Sequence, residues 1–432
     1  MMRFCCLIII SLMSLTYTRA QELLTPDNAV SIGLKNNYDI LSASNYSEIA
    51  RINNTSGNAG MLPEVAVTST DNYSVNHVDQ KLSSGESNNY SNSRANSFNA
   101  GVELNWTLFD GGKMFITKNK LNEIQTLGEI EFRDQVLQTV FNIIVAYYEV
   151  VREKQQLVSI NEAISKNEDM VNILKTSFGA GLAPKTNLLQ AQIDLNVYRE
   201  TAITQETAIV AAKRILNQLL SRDANAQFEV IDSIPFETLP DKEELTRKLY
   251  ESNTSVLMVH KQVDIANLGL KEYKTALLPR VHFNAGYNFL QNDNSKGSML
   301  MNQVYGPQIG GTLSIPLYQA GNASRQIKTA RLQLESAQYN LESTKLQINS
   351  ELQNTITIYE NQQRLLEIEQ SNTELARENL NITMERLRLG QTTSLELHQA
   401  QENFVDSYTR LINFEYYLKV AETRLKKLLS GL

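Results

Sequence analysis

Gly179-Ala180-Gly181-Leu182-Ala183-Pro184-Lys185-Thr186 has the outline of a phosphate loop, Gly-x4-Gly-Lys-Thr, with Pro184 where the last glycine belongs. That position must offer a backbone N–H to the phosphates, and proline has none. The residues before the segment have helical spacing, whereas a phosphate loop follows a strand. Nucleotide binding is therefore rejected. His77, His260, His282 and His398 are scattered, and Met299 and Met301 stand in a polar stretch without partners at ligand spacing, so no metal site is expected. No Ser/His/Asp constellation is apparent; we expect no enzyme and no cofactor. A carboxylate also stands beside a helix break. Gly390 interrupts a long helical pattern and Glu396 follows one to two turns later. A carboxylate so placed acts on ions through its field, not through covalent steps.

The elements that position it occur twice. Gln190-Ala191-Gln192 recurs as Gln399-Ala400-Gln401, an offset of 209 residues that also pairs Leu108 with Leu317, Gly112 with Gly321, Gly181 with Gly390 and Leu219-Leu220 with Leu428-Leu429. Upstream the offset is 216, matching Asn37 with Asn253 and Leu62-Pro63 with Leu278-Pro279. The register changes inside a strand-bearing segment, where a loop changes length freely. We read an internally duplicated chain: signal peptide 1–20, first repeat 21–225, linker 226–240 and second repeat 241–432.

Each repeat holds long helices. Lys113 to Ser177 contains no proline and one glycine, Gly128, and its apolar residues recur mostly at three- and four-residue steps; Asn322 to Arg386 behaves alike. At 1.5 Å per residue each helix runs about 98 Å. Shorter helices follow at Lys185 to Leu220 and Ser394 to Leu429, and another precedes the strands at Asp39 to Met61. Pro26-Asp27 and Pro240-Asp241 read as paired helix N-caps, with Asp accepting free N–H groups. Ala226 to Pro240 is expected to add small strands at the waist.

Arg3, the apolar stretch Phe4 to Leu15 and Thr18-Arg19-Ala20 form a secretory signal, too short to span a membrane. Both cysteines, Cys5 and Cys6, lie within it, so the exported chain has no disulfide framework. Its loss takes the net charge from −7 to −9 by removing Arg3 and Arg19, a poor balance for binding nucleic acid. No later run of 18 apolar residues exists, so any crossing of a membrane must use strands.

Four segments alternate with period 2. Phe98, Ala100, Val102, Leu104, Trp106 and Leu108 form one apolar face; Val281, Phe283, Ala285, Tyr287 and Phe289 form another; Ile309 to Leu317 and Glu64 to Val78 supply the rest. Each is long enough for a tilted transmembrane strand, although a half-buried sheet in a soluble domain alternates identically. The polar stretches Gln80 to Ser97 and Gln291 to Gln303 read as outward loops. Four strands close no useful barrel, and open edges do not occur in lipid. Three copies give twelve strands.

Leu62-Pro63, two strands ending in Trp106-Thr107-Leu108-Phe109-Asp110-Gly111-Gly112, a very long helix and a glycine turn follow in order, and the unit repeats with Leu317-Tyr318-Gln319-Ala320-Gly321 at the second junction. Asp110-Gly111-Gly112 supplies a turn former and two residues free to take positive φ, and Pro316 fits a strand end. The doubled order resembles the TolC-type outer-membrane efflux proteins over essentially the whole mature chain.

The resemblance implies an α+β membrane protein: a homotrimeric 12-stranded β-barrel in outer-membrane lipid, continuous with a long periplasmic α-helical tunnel. It would be the exit duct of a tripartite efflux or type I secretion system, joined to a periplasmic adaptor (membrane fusion) protein and an inner-membrane pump. It also puts the Gly390 hairpin at the periplasmic tip, with Gly181, Leu182, Gly390 and Gln391 at the adaptor contact. Glu396 falls at the first of two acidic constriction positions of the family's best-known member and Gln399 at the second; Asn187 and Gln190 are the neutral first-repeat equivalents. Leu387 and Thr392 stand where that relative locks its closed tip with polar groups, so any lock here differs. A solvated helix-face charge at Glu396, and a periplasmic coiled-coil scaffold without conduction, are the alternatives. Drug, protein and metal export are not distinguished by these residues.

Overall fold

The computed structural model describes residues 23–237 and 242–432. The expected signal peptide and the Pro240-Asp241 cap lie outside them. The chain forms two compact units, a helical unit built from residues up to Ser44, Phe132–Thr254 and Lys345–Leu432, and a strand unit, Asn45–Glu131 and Ser255–Thr344.

In the helical unit, α1 (Pro26–Asn36) is capped by Thr25, whose hydroxyl accepts from the Asn28 N–H at 3.2 Å. Asp27 sits in the first turn instead of capping it. Pro26 fits N1, where no N–H is needed. The paired positions Asn37 and Asn253 are buried and make matching bonds, donating to Leu219 O at 2.8 Å and Leu428 O at 2.9 Å. The four principal helices are α3 (Lys113–Gly179), α4 (Lys185–Leu219), α7 (Asn322–Arg388) and α8 (Ser394–Leu428), of 67, 35, 67 and 35 residues. The equality of the pairs follows from their shared glycine punctuation.

The segment after α4 forms one isolated bridge, Glu229 with Leu23, and no strand among its described residues, contrary to expectation. Its polar groups bond to helices instead. The Tyr147 hydroxyl donates to Leu24 O at 2.7 Å and accepts from the Ile231 N–H at 3.1 Å. Lys213 Nζ donates to Phe228 O at 2.8 Å. Leu24, Ile143, Tyr147, Leu216, Leu220 and Phe228 are fully buried there in one apolar cluster.

The helix expected over Asp39 to Met61 ends early, as α2 (Tyr38–Asn53), which starts in the helical unit and ends in the strand unit. Asn58 donates to Asn53 O at 2.8 Å and Thr55 accepts from the Asn58 N–H at 3.2 Å, local bonds that compete with a helix. Four antiparallel strands follow in sheet order β1 (Glu64–Lys81), β2 (Ser87–Phe109), β3 (Arg280–Asn294) and β4 (Met301–Ser314). In the chain, α5 (Lys242–Ser252) of the helical unit and then α6 (Thr254–Lys274) precede β3.

The alternating faces align across the sheet. Val65, Leu104, Ala285 and Ile309 form one row; Glu64, Asn105, Asn284 and Gly310 form the next. A bulge between Thr107 and Phe109 puts Phe109, not Leu108, opposite Val281. The Ser/Asn-rich stretch expected as a loop is mostly strand, because β1 supplies a full ladder for it. Two β2 residues oppose one at Asn76/Val78, and Asn92 takes φ 56 within that bulge. The second loop also shrinks, to the residues between Asn294 and Met301. Pro316 lies just past β4.

At the β2–α3 junction Gly111 and Gly112 adopt φ 77 and 84. A Cβ on Gly111 would meet Leu278 Cβ at 2.6 Å, so only glycine fits this turn. Asp110 Oδ1 accepts from the Met114 N–H at 3.1 Å and caps the helix.

Candidate functional site: the helical hairpin turns

Both hairpin turns are closed by the same backbone device. In the first, the Gly181 N–H donates to Phe178 O at 3.0 Å and the Leu182 N–H to Ser177 O at 2.8 Å. In the second, the Gly390 N–H donates to Leu387 O at 3.0 Å and the Gln391 N–H to Arg386 O at 2.8 Å. This paired pattern is the Schellman C-cap, which needs a left-handed residue; Gly181 and Gly390 supply φ 75 and 69. The glycine-rich segment that outlines a phosphate loop is this first turn, preceded by helix.

The two turns lie at one end of a four-helix packing. Met170 and Leu174 of α3, Ala191 of α4, Leu380, Met384 and Leu387 of α7, and Leu397, Ala400 and Phe404 of α8 form a single buried cluster. Leu387 is thus a core residue here.

Glu396 stands on the exposed side of α8, three residues from the exposed Gln399, and Asn187 and Gln190 hold the same spacing on α4. Residues three apart share a helix face. Each pair shares a helix face, and among the described residues no hydrogen bond or ion pair runs from one pair to the other. Gln399 donates to Asn403 at 3.3 Å, and Gln190 to Asp194 at 2.8 Å.

The surroundings of Glu396 were not anticipated. Thr393 is the N-cap of α8, its hydroxyl accepting from the Glu396 N–H at 3.2 Å. The Glu396 carboxylate accepts a short hydrogen bond from the Thr392 hydroxyl and lies 4.0 Å from Arg386. The Thr393-x-x-Glu396 spacing is a capping-box signal visible in sequence. The Arg386 contact, across the turn, has no such signal.

Two polar links deeper in this end were likewise unforeseen. His398 lies 3.4 Å from Asp194 on α4 and 3.3 Å from Glu402. Beside them Tyr198 has its pKa pushed up to about 12, first by burial and then by Glu402, Asp194 and Asp406. Further along, buried Glu369 of α7 accepts from Ser407 at 2.7 Å and Arg410 at 2.9 Å, while Thr373 and Ser407 share a hydrogen bond of 2.9 Å. Burial alone would raise the Glu369 pKa; hydrogen bonds from Arg410, Ser407 and Asn372 outweigh it and hold the group below its ordinary value. Among the described residues, no helix is long and apolar enough to cross a membrane.

A four-stranded antiparallel sheet with aligned apolar and polar faces, joined to long paired helices, defines the architecture of TolC-type channels. The Outer membrane efflux protein family matches residues 29–222 and 245–431, and the chain belongs to that family of outer-membrane proteins. Among solved structures it is similar to the Campylobacter jejuni CmeC outer membrane channel, with a TM-score of 0.80 at 18% identity, over 94% of this chain and 85% of that one. It is also similar to the Vibrio cholerae outer membrane protein VceC, with a TM-score of 0.77 at 16% identity, over 94% and 96%. In sequence it is 20% identical to the Vibrio cholerae outer membrane protein TolC over 300 residues, and 20% identical to the Dickeya chrysanthemi proteases secretion protein PrtF over 314. These alignments cover 68% and 70% of this chain but just under two thirds of the relatives, 65% and 66%.

Proposed function

We propose that the chain is one third of a trimeric outer-membrane exit duct, exporting solutes from the periplasmic side to the outside. The observation that carries this is the sheet. Its apolar rows are in register across all four strands, and the outer edges of β1 and β4 pair with nothing among the described residues. Open edges are not tolerated in lipid, and three sheets of four close a barrel of twelve strands, within the range of known barrels. A second feature agrees. Ile368, Leu375 and Ile382 are exposed at seven-residue spacing along α7, and Leu389 continues the series just past its end, a seam that asks for a neighbouring helix.

The chain reads as two structural repeats, 21–225 and 241–432, joined by 226–240. The matching Asn37 and Asn253 bonds, the equal helix lengths and the two separate family matches support that reading. As a conduit it has no catalytic role. Its partners are a periplasmic adaptor, met at Gly181, Leu182, Gly390 and Gln391, and an inner-membrane pump that selects the cargo. Glu396 and Gln399, with Asn187 and Gln190, line the constriction. The Arg386 counter-charge makes this ring less repulsive than three bare carboxylates.

Mass measurement of the complex in mild detergent, with conductance in planar bilayers, tests the proposal. A conducting trimer is expected. A soluble or non-conducting monomer would instead identify a periplasmic scaffold.

A further inference from the structure

The strand unit holds a cleft of about 300 Å³ at the base of β2 and β3. It is lined by Lys113, Arg280, His282, Asp110, Asn58 and Thr117, among others. It adjoins a larger cleft of about 680 Å³ that shares Asn58, Gly60, Thr107 and His282 and also includes Glu64. The polar lining groups are mostly engaged elsewhere. Thr117 donates to Glu272 at 2.6 Å, Asn58 Nδ2 to Asn53 O at 2.8 Å, and Asp110 accepts from the Met114 N–H. His282 Nδ1 is paired with the Thr107 hydroxyl at 3.2 Å, which leaves Nε2 open. Among the described residues, no ion pair or hydrogen bond engages the side chains of Lys113 and Arg280. The single carboxylate of the smaller cleft, Asp110, is already held at the start of α3.

Arg280 follows Leu278-Pro279 where Glu64 follows Leu62-Pro63, and Lys113 stands 209 residues before Asn322. One cation thus comes from each half of the chain, and the pairing of β2 with β3 brings them to one cleft. Neither counterpart, Glu64 nor Asn322, is cationic.

We propose that this cleft is an anion subsite for phosphoryl or carboxylate groups, with Lys113 and Arg280 as its binding cations and His282 Nε2 as a third polar contact. Arginine and lysine with free donors form the strong, charge-assisted hydrogen bonds such anions require. His282 shares its strand face with Asn284, two residues along β3. On the reading that this polar face lines the lumen, on which the inference rests, the subsite meets solutes entering the barrel. Three copies would set a basic ring in an acidic protein.

Inorganic phosphate is the probe. With wild-type trimers in phosphatidylcholine bilayers, phosphate should block the current carried in potassium chloride, and K113Q/R280Q should raise the blocking concentration by about a hundredfold or more, tenfold for each cation's charge-assisted bond. K328Q/R331Q makes the same charge change on α7, outside the cleft, and should leave block unchanged. Equal block in K113Q/R280Q and wild type, or equal loss in both double variants, overturns the assignment. If phosphatidylglycerol in the bilayer abolishes the block, the cleft takes lipid phosphoryl groups and the luminal assignment fails. Phosphorus NMR on detergent-solubilised protein reads binding without conduction. Broadening in wild type that K113Q/R280Q removes keeps the subsite even if no channel forms; no broadening in wild type ends it.

Discussion

The two hairpins share a backbone and differ in chemistry. Gly181 and Gly390 close identical C-caps, and the helices on either side have equal lengths. After the first turn, however, Pro184 begins α4 without a side-chain cap, whereas Thr393 caps α8. Glu396, Thr392 and Arg386 of the second turn stand 209 residues after Asn187, Ala183 and Ser177. Deeper in, Glu369, Thr373, Ser407 and Arg410 stand against Ile160, Ile164, Tyr198 and Thr201. Backbone geometry is kept where glycine alone satisfies it, while Glu369, Arg386, Glu396 and Arg410 each stand against a neutral residue in the first copy. A turn that must only reverse the chain can do without a charged side chain beside it. One that must also respond to ions or slide against its neighbour needs polar contacts that re-form.

Where the halves agree, equal damage is expected. Leu104→Arg in β2 and Phe283→Arg in β3 put a cation on the aligned apolar face, each costing about 2–4 kcal/mol at mid-membrane. Both should reduce the yield of assembled trimer on non-denaturing gels, while Asn105→Arg and Asn284→Arg should assemble. Indifference to all four would remove the membrane face.

Where the halves differ, the buried network of the second hairpin is the sharpest contrast. Glu369→Ala takes the acceptor from the buried Ser407 hydroxyl, which keeps only Thr373 as a partner; Arg410, half-exposed, recovers water, so we expect about 2 kcal/mol of loss, read as a lower thermal midpoint. The folded-state pKa of Glu369 is depressed, so its contribution is present above its ordinary value of 4.5 and is lost as pH falls below it. The wild-type and Glu369→Ala midpoints should therefore converge in acid. A gap that persists at low pH would show that shape, not charge, holds this site.

Much of this was legible in sequence, for local reasons. Helix ends at Lys113 and Lys185 follow glycine and proline punctuation, and the strand cores follow alternation. The long polar arms of β1 and β2 were not, because Ser and Asn at 87–97 favour loops until a partner strand satisfies their backbone. Thr393 is a local cap that its own spacing announces. Glu369 and Arg410 are 41 residues apart and meet only because α7 and α8 pack in one register, which no local pattern fixes.

A milder test concerns what the hairpins share. Gly181→Ala and Gly390→Ala meet open space around the new Cβ, so only the left-handed backbone is penalised, by about 1 kcal/mol each. Limited proteolysis at the two turns should accelerate alike. A turn that tolerates alanine without change is held by its neighbours and not by its own cap.

The smallest effect on stability, and the most telling for function, lies at Glu396. Its carboxylate is exposed, so the Arg386 contact and the Thr392 bond together are worth under about 1 kcal/mol, and Glu396→Gln should leave trimer melting nearly unchanged. The substitution keeps size and removes charge, which also leaves Arg386 uncompensated. In a trimer the constriction then gains three positive charges, so single-channel recordings should show weaker cation selectivity and reduced block by divalent cations. Glu396→Arg should carry the preference over to anions. Gln399→Glu restores an acid on the same face and should deepen cation block, whereas Gln190→Glu tests whether the first hairpin reaches the same constriction. If both Glu396 variants conduct with wild-type selectivity, the residue lies off the pore axis. The polar character of the second hairpin then serves packing alone, and the contrast between the halves loses its functional meaning.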